Sequence, residues 1–240
     1  MIITPYPNLP EVLVDAERWQ GFFYPLCRVQ NAPGLPAGQA LPILSTNGLW
    51  YDETYATPAA SAQVSTYELR GGQVAFAGER RLFRGHAAVA AAHAGLTADW
   101  QAQQATYLAA RRPEQLLDPL PPDWPVETDL DADYYRSTFR GFHYVREQYR
   151  RTDRFRGLNA WLRNWREEPG SFFLPADHPD FGSAHAEMHT NQAYLLPGLD
   201  LAALLPVGLA PASPYFAEGN SVLVYYEAAT ARLVCVNYYG

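Results

Sequence analysis

Hydrophobic and polar positions follow two periods along this chain, and each period marks its own elements. In VSTYELRGGQVAFAG, residues 64–78, two runs suited to β-structure flank Gly71 and Gly72. Both glycines accept positive φ at little steric cost, so a tight hairpin is expected there. The chain closes on SVLVYYE (221–227) and RLVCVNYY (232–239), which predict a second hairpin. Between the hairpins, HAAVAAAHAG (86–95) predicts an alanine-rich helix stopped by Gly95. TADWQAQQATYLAARR (97–112) then predicts a second helix with Thr97 as its N-cap.

A helical period takes over after residue 133. Over 134–151, Tyr135, Phe139, Phe142, Val145 and Tyr149 recur on one face. Arg136, Arg140, His143, Glu147 and Arg150 take the other. Over 154–167, Phe155, Leu158, Trp161, Leu162 and Trp165 form an apolar stripe that Pro169-Gly170 ends. Antiparallel strands and hairpins towards both ends, with a helical region between them, predict an α+β fold without alternating βαβ units.

Charge divides the chain differently. Residues 113–133 hold seven acids, five prolines and no base, while 134–166 hold nine arginines against Glu147 and Asp153. Proline this dense breaks helix, so 113–133 is expected to be a connection. A strap packed over the surface is the expected form, because Leu116, Leu117, Leu120 and Trp124 would otherwise lie in water. One domain over 1–240 is expected, with 113–133 as the place where it would split into two lobes.

Arginines interleaved with aromatics raise the question of nucleic acid. The aromatics lie on the apolar face, the acidic block beside the arginines offers internal pairing, and a net charge of −7 repels polyanions. The balance argues against it. No leader segment is visible, and the apolar window 195–212 is interrupted by Asp200 and three prolines, so no membrane span and a cytoplasmic location are expected.

The chain contains no lysine, its eighteen basic residues all being arginine. Schiff-base chemistry, a Walker A loop, a kinase lysine and an SxxK nucleophile are therefore excluded. No GxSxG elbow and no GxGxxG loop occurs either. Cys27 and Cys235 are the only cysteines, without CxxC spacing. Cys235 sits in an apolar strand pattern, and Cys27 is the one thiol to weigh as a nucleophile.

The densest chemistry lies in ADHPDFGSAHAEMHTNQAY, residues 176–194, with three of the six histidines. If Ala184–His189 were extended, His185, Glu187 and His189 would project together. If it were helical, His185 and His189 would still share a face and Glu187 would leave it. His178 and Asp180 stand nearby to complete a shell. A divalent transition metal such as zinc, held by His178, His185 and His189, would lower a water pKa, with Glu187 or Asp180 as general base.

Two functions follow. One is a non-catalytic module that binds a protein partner, a basic one, in the manner of an inhibitor or immunity-type protein, and needs no cofactor. The alternative is a metal-dependent hydrolase centred on 178–189.

Overall fold

The computed structural model describes residues 1–116, 129–163 and 171–239. Among them, β1 (Ile2–Pro5), β2 (Tyr24–Gln30) and β3 (Ala40–Ser45) form one antiparallel sheet in the order β1-β2-β3. β4 (Val64–Arg70), β5 (Gln73–Phe76), β6 (Leu174–Pro175), β7 (Leu205–Ala210), β8 (Ser221–Glu227) and β9 (Arg232–Tyr238) form a second, ordered β5-β4-β9-β8-β7-β6. The helices are α1 (Leu9–Val12), α2 (Val89–Leu108), α3 (Ala132–Thr152), α4 (Leu158–Arg163), α5 (Pro179–Thr190) and α6 (Gln192–Leu195). The class is α+β, with antiparallel sheets on either side of a central helical region.

Both expected hairpins are present, and they share a sheet. β4 and β5 close at Arg70↔Gln73 over Gly71 and Gly72, which take φ of 59° and 91°. β8 and β9 close at Glu227↔Arg232, and β9 then pairs with β4 through Tyr67↔Leu233. The last strand of the chain thus sits mid-sheet and joins the two hairpins. One continuous core cluster draws on residues from both sides of 113–133, including Tyr107 and Ala110 before it and Tyr135 and Phe139 after it.

The helices depart from expectation in three places. First, Gly95 does not stop a helix: α2 runs unbroken through it. Val89, Ala92, Leu96, Trp100 and Tyr107 form one buried stripe across the predicted break. A mid-helix glycine costs about 1 kcal/mol, whereas burying Leu96 alone contributes about 1.5–3 kcal/mol. Thr97 is not a cap; its hydroxyl donates to the His93 carbonyl one turn back (2.8 Å).

Second, two arginines on the polar face of α3 lie in the interior, beyond the pairing with the acidic block that the sequence suggests. Arg140 is completely buried and Arg136 nearly so. Asp99 of α2 accepts a hydrogen bond from Arg140 Nη2 at 2.8 Å, and the Leu116 carbonyl accepts one from Nη1 at 3.0 Å. The guanidinium also lies 4.8 Å from the Tyr107 ring centre. Tyr107 and Gln103 donate to the same Asp99 carboxylate (2.7 and 2.6 Å). Arg136 pairs with Asp133 of the acidic block at 2.8 Å, and Arg140 pairs with Asp99 of α2, outside that block.

Third, α4 starts at Leu158 instead of 154. Asp153 closes α3 in the left-handed region at φ 53°, which turns the chain away before the next helix begins. Leu116 of the connection is buried as expected. Leu117, Leu120, Trp124, Trp165 and Pro169-Gly170 lie outside the described residues.

Candidate functional site

The histidine segment takes its helical alternative. Pro179 occupies the first helical position of α5, and His178 caps it, Nδ1 accepting the Asp180 N–H at 3.2 Å. His185 and His189, one turn apart, hold their rings parallel at 6.0 Å. Glu187 points elsewhere and accepts the Tyr238 hydroxyl at 2.9 Å, a bond that raises the Tyr238 pKa.

Each imidazole has a different neighbour. His185 Nδ1 shares a 2.9 Å hydrogen bond with the Tyr225 hydroxyl, and His189 Nδ1 shares a 3.4 Å one with Gln192 Oε1. Burial, with His189 alongside, lowers the His185 pKa, so the ring is neutral at pH 7. His178 is spent on its cap. The expected convergence of His178, His185 and His189 with Glu187 or Asp180 does not form. Among the described residues no group of three or more histidines, cysteines and acids is placed to hold a metal ion.

The thiols are no better placed for chemistry. Cys27 on β2 is fully buried, and burial pushes its pKa to about 12. Cys235 on β9 is buried and pushed up in the same way. A thiol so desolvated supplies no thiolate nucleophile near neutrality.

Sequence reasoning missed a cleft of about 1070 Å³. Its walls come from the turn after β3, the first turns of α3, α4, the turn before β8, and Tyr239. Among the described residues four carboxylates line it (Glu114, Asp131, Asp133 and Glu218) against one guanidinium, that of Arg136. Two large aromatics stand open to solvent there, Trp50 at 51% and Tyr239 at 57% exposure. Exposed aromatics of this size are the informative exception in a folded chain.

The cleft wall is held by short-range chemistry. Asp131 caps α3 by accepting the Tyr134 N–H at 2.9 Å, and its other oxygen accepts the Trp50 indole N–H at 3.1 Å. The Tyr134 N–H, with help from Trp50, holds the Asp131 carboxyl below its usual pKa, so it is charged at neutral pH. Trp50 leans on the Tyr134 ring, with centroids 5.1 Å apart. One aspartate therefore fixes both the helix start and the tryptophan.

Buried Asn47, in the same turn as Trp50, clamps the turn before β8. Its Oδ1 accepts the Asn220 N–H at 2.8 Å, and its Nδ2 donates to the Asn220 carbonyl at 3.1 Å. Gly219 has to be glycine for this contact, since it sits at φ 145° and a Cβ there would lie 2.6 Å from the Asn47 amide. In sequence the only signals are Asn47-Gly48 and Glu218-Gly219-Asn220, ordinary turn tripeptides and dipeptides about 170 residues apart.

Comparison of the chain with models of protein families, with curated proteins and with solved structures finds no match. Among the described residues no helix is long and apolar enough to cross a membrane.

Proposed function

We propose that this protein is a non-catalytic binding module that takes a basic segment of a protein partner into the cleft at Trp50. The observation that carries this is the pairing of four carboxylates and two exposed aromatics around one cleft, with Arg136 the only cation among its described lining residues. An arginine or lysine side chain is attracted to an aromatic face and to a carboxylate beside it, and more strongly where water is partly excluded. Acids spread over a convex surface would serve solubility; here they share a cavity with aromatic platforms.

The wall is also preformed. Asp131 and Tyr134 fix the indole, and Asn47 fixes the turn before β8, so little conformational freedom is lost on binding. The buried thiols and the spent imidazoles support a role without catalysis, and two free cysteines suit a reducing, cytoplasmic location.

The test is a titration with an arginine-rich peptide at low and high salt. Trp50→Ala and Glu218→Gln should each weaken binding about tenfold. Asp177→Asn, which removes an exposed acid outside the cleft, should leave it unchanged. Equal losses in all three variants would reduce the binding to unspecific charge and sink the proposal.

A further inference from the structure

A second cavity, about 390 Å³, lies where the turn after α1 meets α2, and shares no described lining residue with the cleft. Its polar groups include Arg18, Gln20, Arg80 and Gln101, with Glu17 the one acid among its described lining residues. Ala90, Ala94 and Ala98, successive turns of α2, give it an apolar floor.

The two arginines are held in an unusual way for so acidic a chain. Arg18 lies 5.1 Å from the centre of the Trp19 ring and Arg80 lies 4.9 Å from that of Phe22. Each guanidinium plane is thus pinned by an aromatic face instead of a carboxylate. Neither makes an ion pair among the described residues, and Glu17 reaches neither. The adjacent Arg81 shows the ordinary outcome, pairing with Glu79 at 2.9 Å. Arg80 Nε is shielded from solvent and has no acceptor among the described residues.

A guanidinium held by its face on an aromatic ring leaves its in-plane Nη donors available, in the fork that matches a carboxylate or phosphate. Two amides stand beside them to bond the remaining oxygens. His93 lines the same cavity and adds no charge, because burial lowers its pKa to about 4. The volume falls in the range of small-ligand pockets, roughly 300–1,000 Å³.

We propose that this cavity binds a small amphipathic anion, its carboxylate or phosphate paired with Arg18 and Arg80 and its apolar body resting on the alanine face of α2. The proposal stands apart from the cleft and does not depend on what the cleft binds.

Amide chemical shifts of the full chain, followed during titration with phenyl phosphate, benzoate and inorganic phosphate, test it. Saturable shifts are expected at residues 17–20, 79–82 and 89–101, and Arg18→Gln should weaken the tightest probe about tenfold. Arg18 is exposed, so this variant should fold; Arg80→Lys, which keeps the charge but loses the fork, should weaken it as well. Saturation by phenyl phosphate alone makes the anion a phosphate, by benzoate alone a carboxylate, and by both an anion recognised by charge and shape. No saturable shift with any probe overturns the proposal. So do shifts confined to the cleft around Trp50, or binding that Arg18→Gln leaves intact. Inorganic phosphate binding as tightly as phenyl phosphate would overturn the role of the alanine floor.

Discussion

Helices α3 and α5 carry similar cargo and put it to different use. Each has a glycine within it, titratable side chains one turn apart, and an apolar stripe. In α3 the stripe Tyr135, Phe139, Phe142 and Val145 is buried, but so are Arg136, Arg140 and Gln148 on other sides of the helix. In α5 only Phe181, Ala184 and Met188 are buried; His185 is half-buried and the other residues are exposed. The contrast shows that what a polar residue does depends on how many neighbours its helix has, which its own sequence does not record. Two arginines of α3, Arg136 and Arg140, became interior framework; the histidines of α5, with the look of a site, became a cap, a half-buried partner of Tyr225 and an exposed ring.

The contrast predicts its largest effect at Arg140. Removing one partner of a buried ion pair leaves the other charge desolvated, at a cost of about 3–5 kcal/mol. Arg140→Met strands the Asp99 carboxylate, which is only 10% exposed, beside the Tyr107 and Gln103 donors. Urea denaturation should show a loss of that size. Adding Asp99→Leu should recover much of it, because the pair is then replaced by apolar volume. If Arg140→Met costs less than about 1 kcal/mol, the pair behaves as a surface bridge and α3 is not the buried member of the comparison.

Next comes acid. The His143 ring of α3 packs on Phe139 at 4.2 Å and near Trp100 at 5.6 Å. Burial, with Arg146, His93 and Arg150 nearby, lowers its pKa to about 3, and burial alone lowers that of His93 to about 4. Both rings stay neutral in the fold while the unfolded chain takes up protons near its ordinary histidine pKa of about 6.5. The unfolded state then binds more protons, so stability falls as pH drops from about 6.5, with a limiting slope of about 1.4 kcal/mol per pH unit for each ring. The loss runs to about pH 4 for His93 and to about pH 3 for His143. His143→Phe should reduce the slope of urea-derived stability between about pH 5.5 and 6.5, above most of the carboxylate titration. Equal slopes in the variant and the parent chain would show that the ring is not shielded.

How much of this was open to sequence follows the same division. The hairpins were legible, because period-two patterns and Gly71-Gly72 are local signals that the sheet only has to accept. α3 was legible in place and in its apolar face. Its arginines were not, since Asp99 and Leu116, which receive Arg140, are 41 and 24 residues away. α2 was divided in two because Gly95 and Thr97 are genuine local break signals, overruled by the buried stripe from Val89 to Tyr107. The cleft was invisible for a stronger reason. Trp50, Asp131 and Glu218 carry no motif among them, and only the folded arrangement of separate turns makes them neighbours.

The glycines of the two helices sharpen the comparison on a smaller scale. A Cβ built on Gly182 of α5 meets nothing within 4 Å, whereas one on Gly141 of α3 meets Leu158 Cδ2 at 3.1 Å. Gly182→Ala should therefore stabilise the protein by about 0.5–1 kcal/mol, the ordinary gain for alanine over glycine within a helix. Gly141→Ala has the same propensity gain but must push Leu158 aside where α4 packs on α3, and should return less. The two melting curves test this directly; an equal gain at both positions would mean that α4 yields freely.

The smallest effect belongs to the residue that looked most like chemistry. His189 is exposed, its one hydrogen bond to Gln192 is long at 3.4 Å, and its ring only faces that of His185. Truncation at such a position changes stability by no more than about 0.5 kcal/mol. His189→Ala should therefore melt with the parent chain. It should also raise the pKa of His185 slightly, by removing the imidazole that depresses it. A histidine titration followed by NMR separates these effects: an upward shift at His185 with unchanged stability makes the pair a surface neighbourhood, as the one-sided burial of α5 requires. A loss of more than about 1 kcal/mol would instead give α5 a second packed face, and remove the difference from α3 on which the comparison rests.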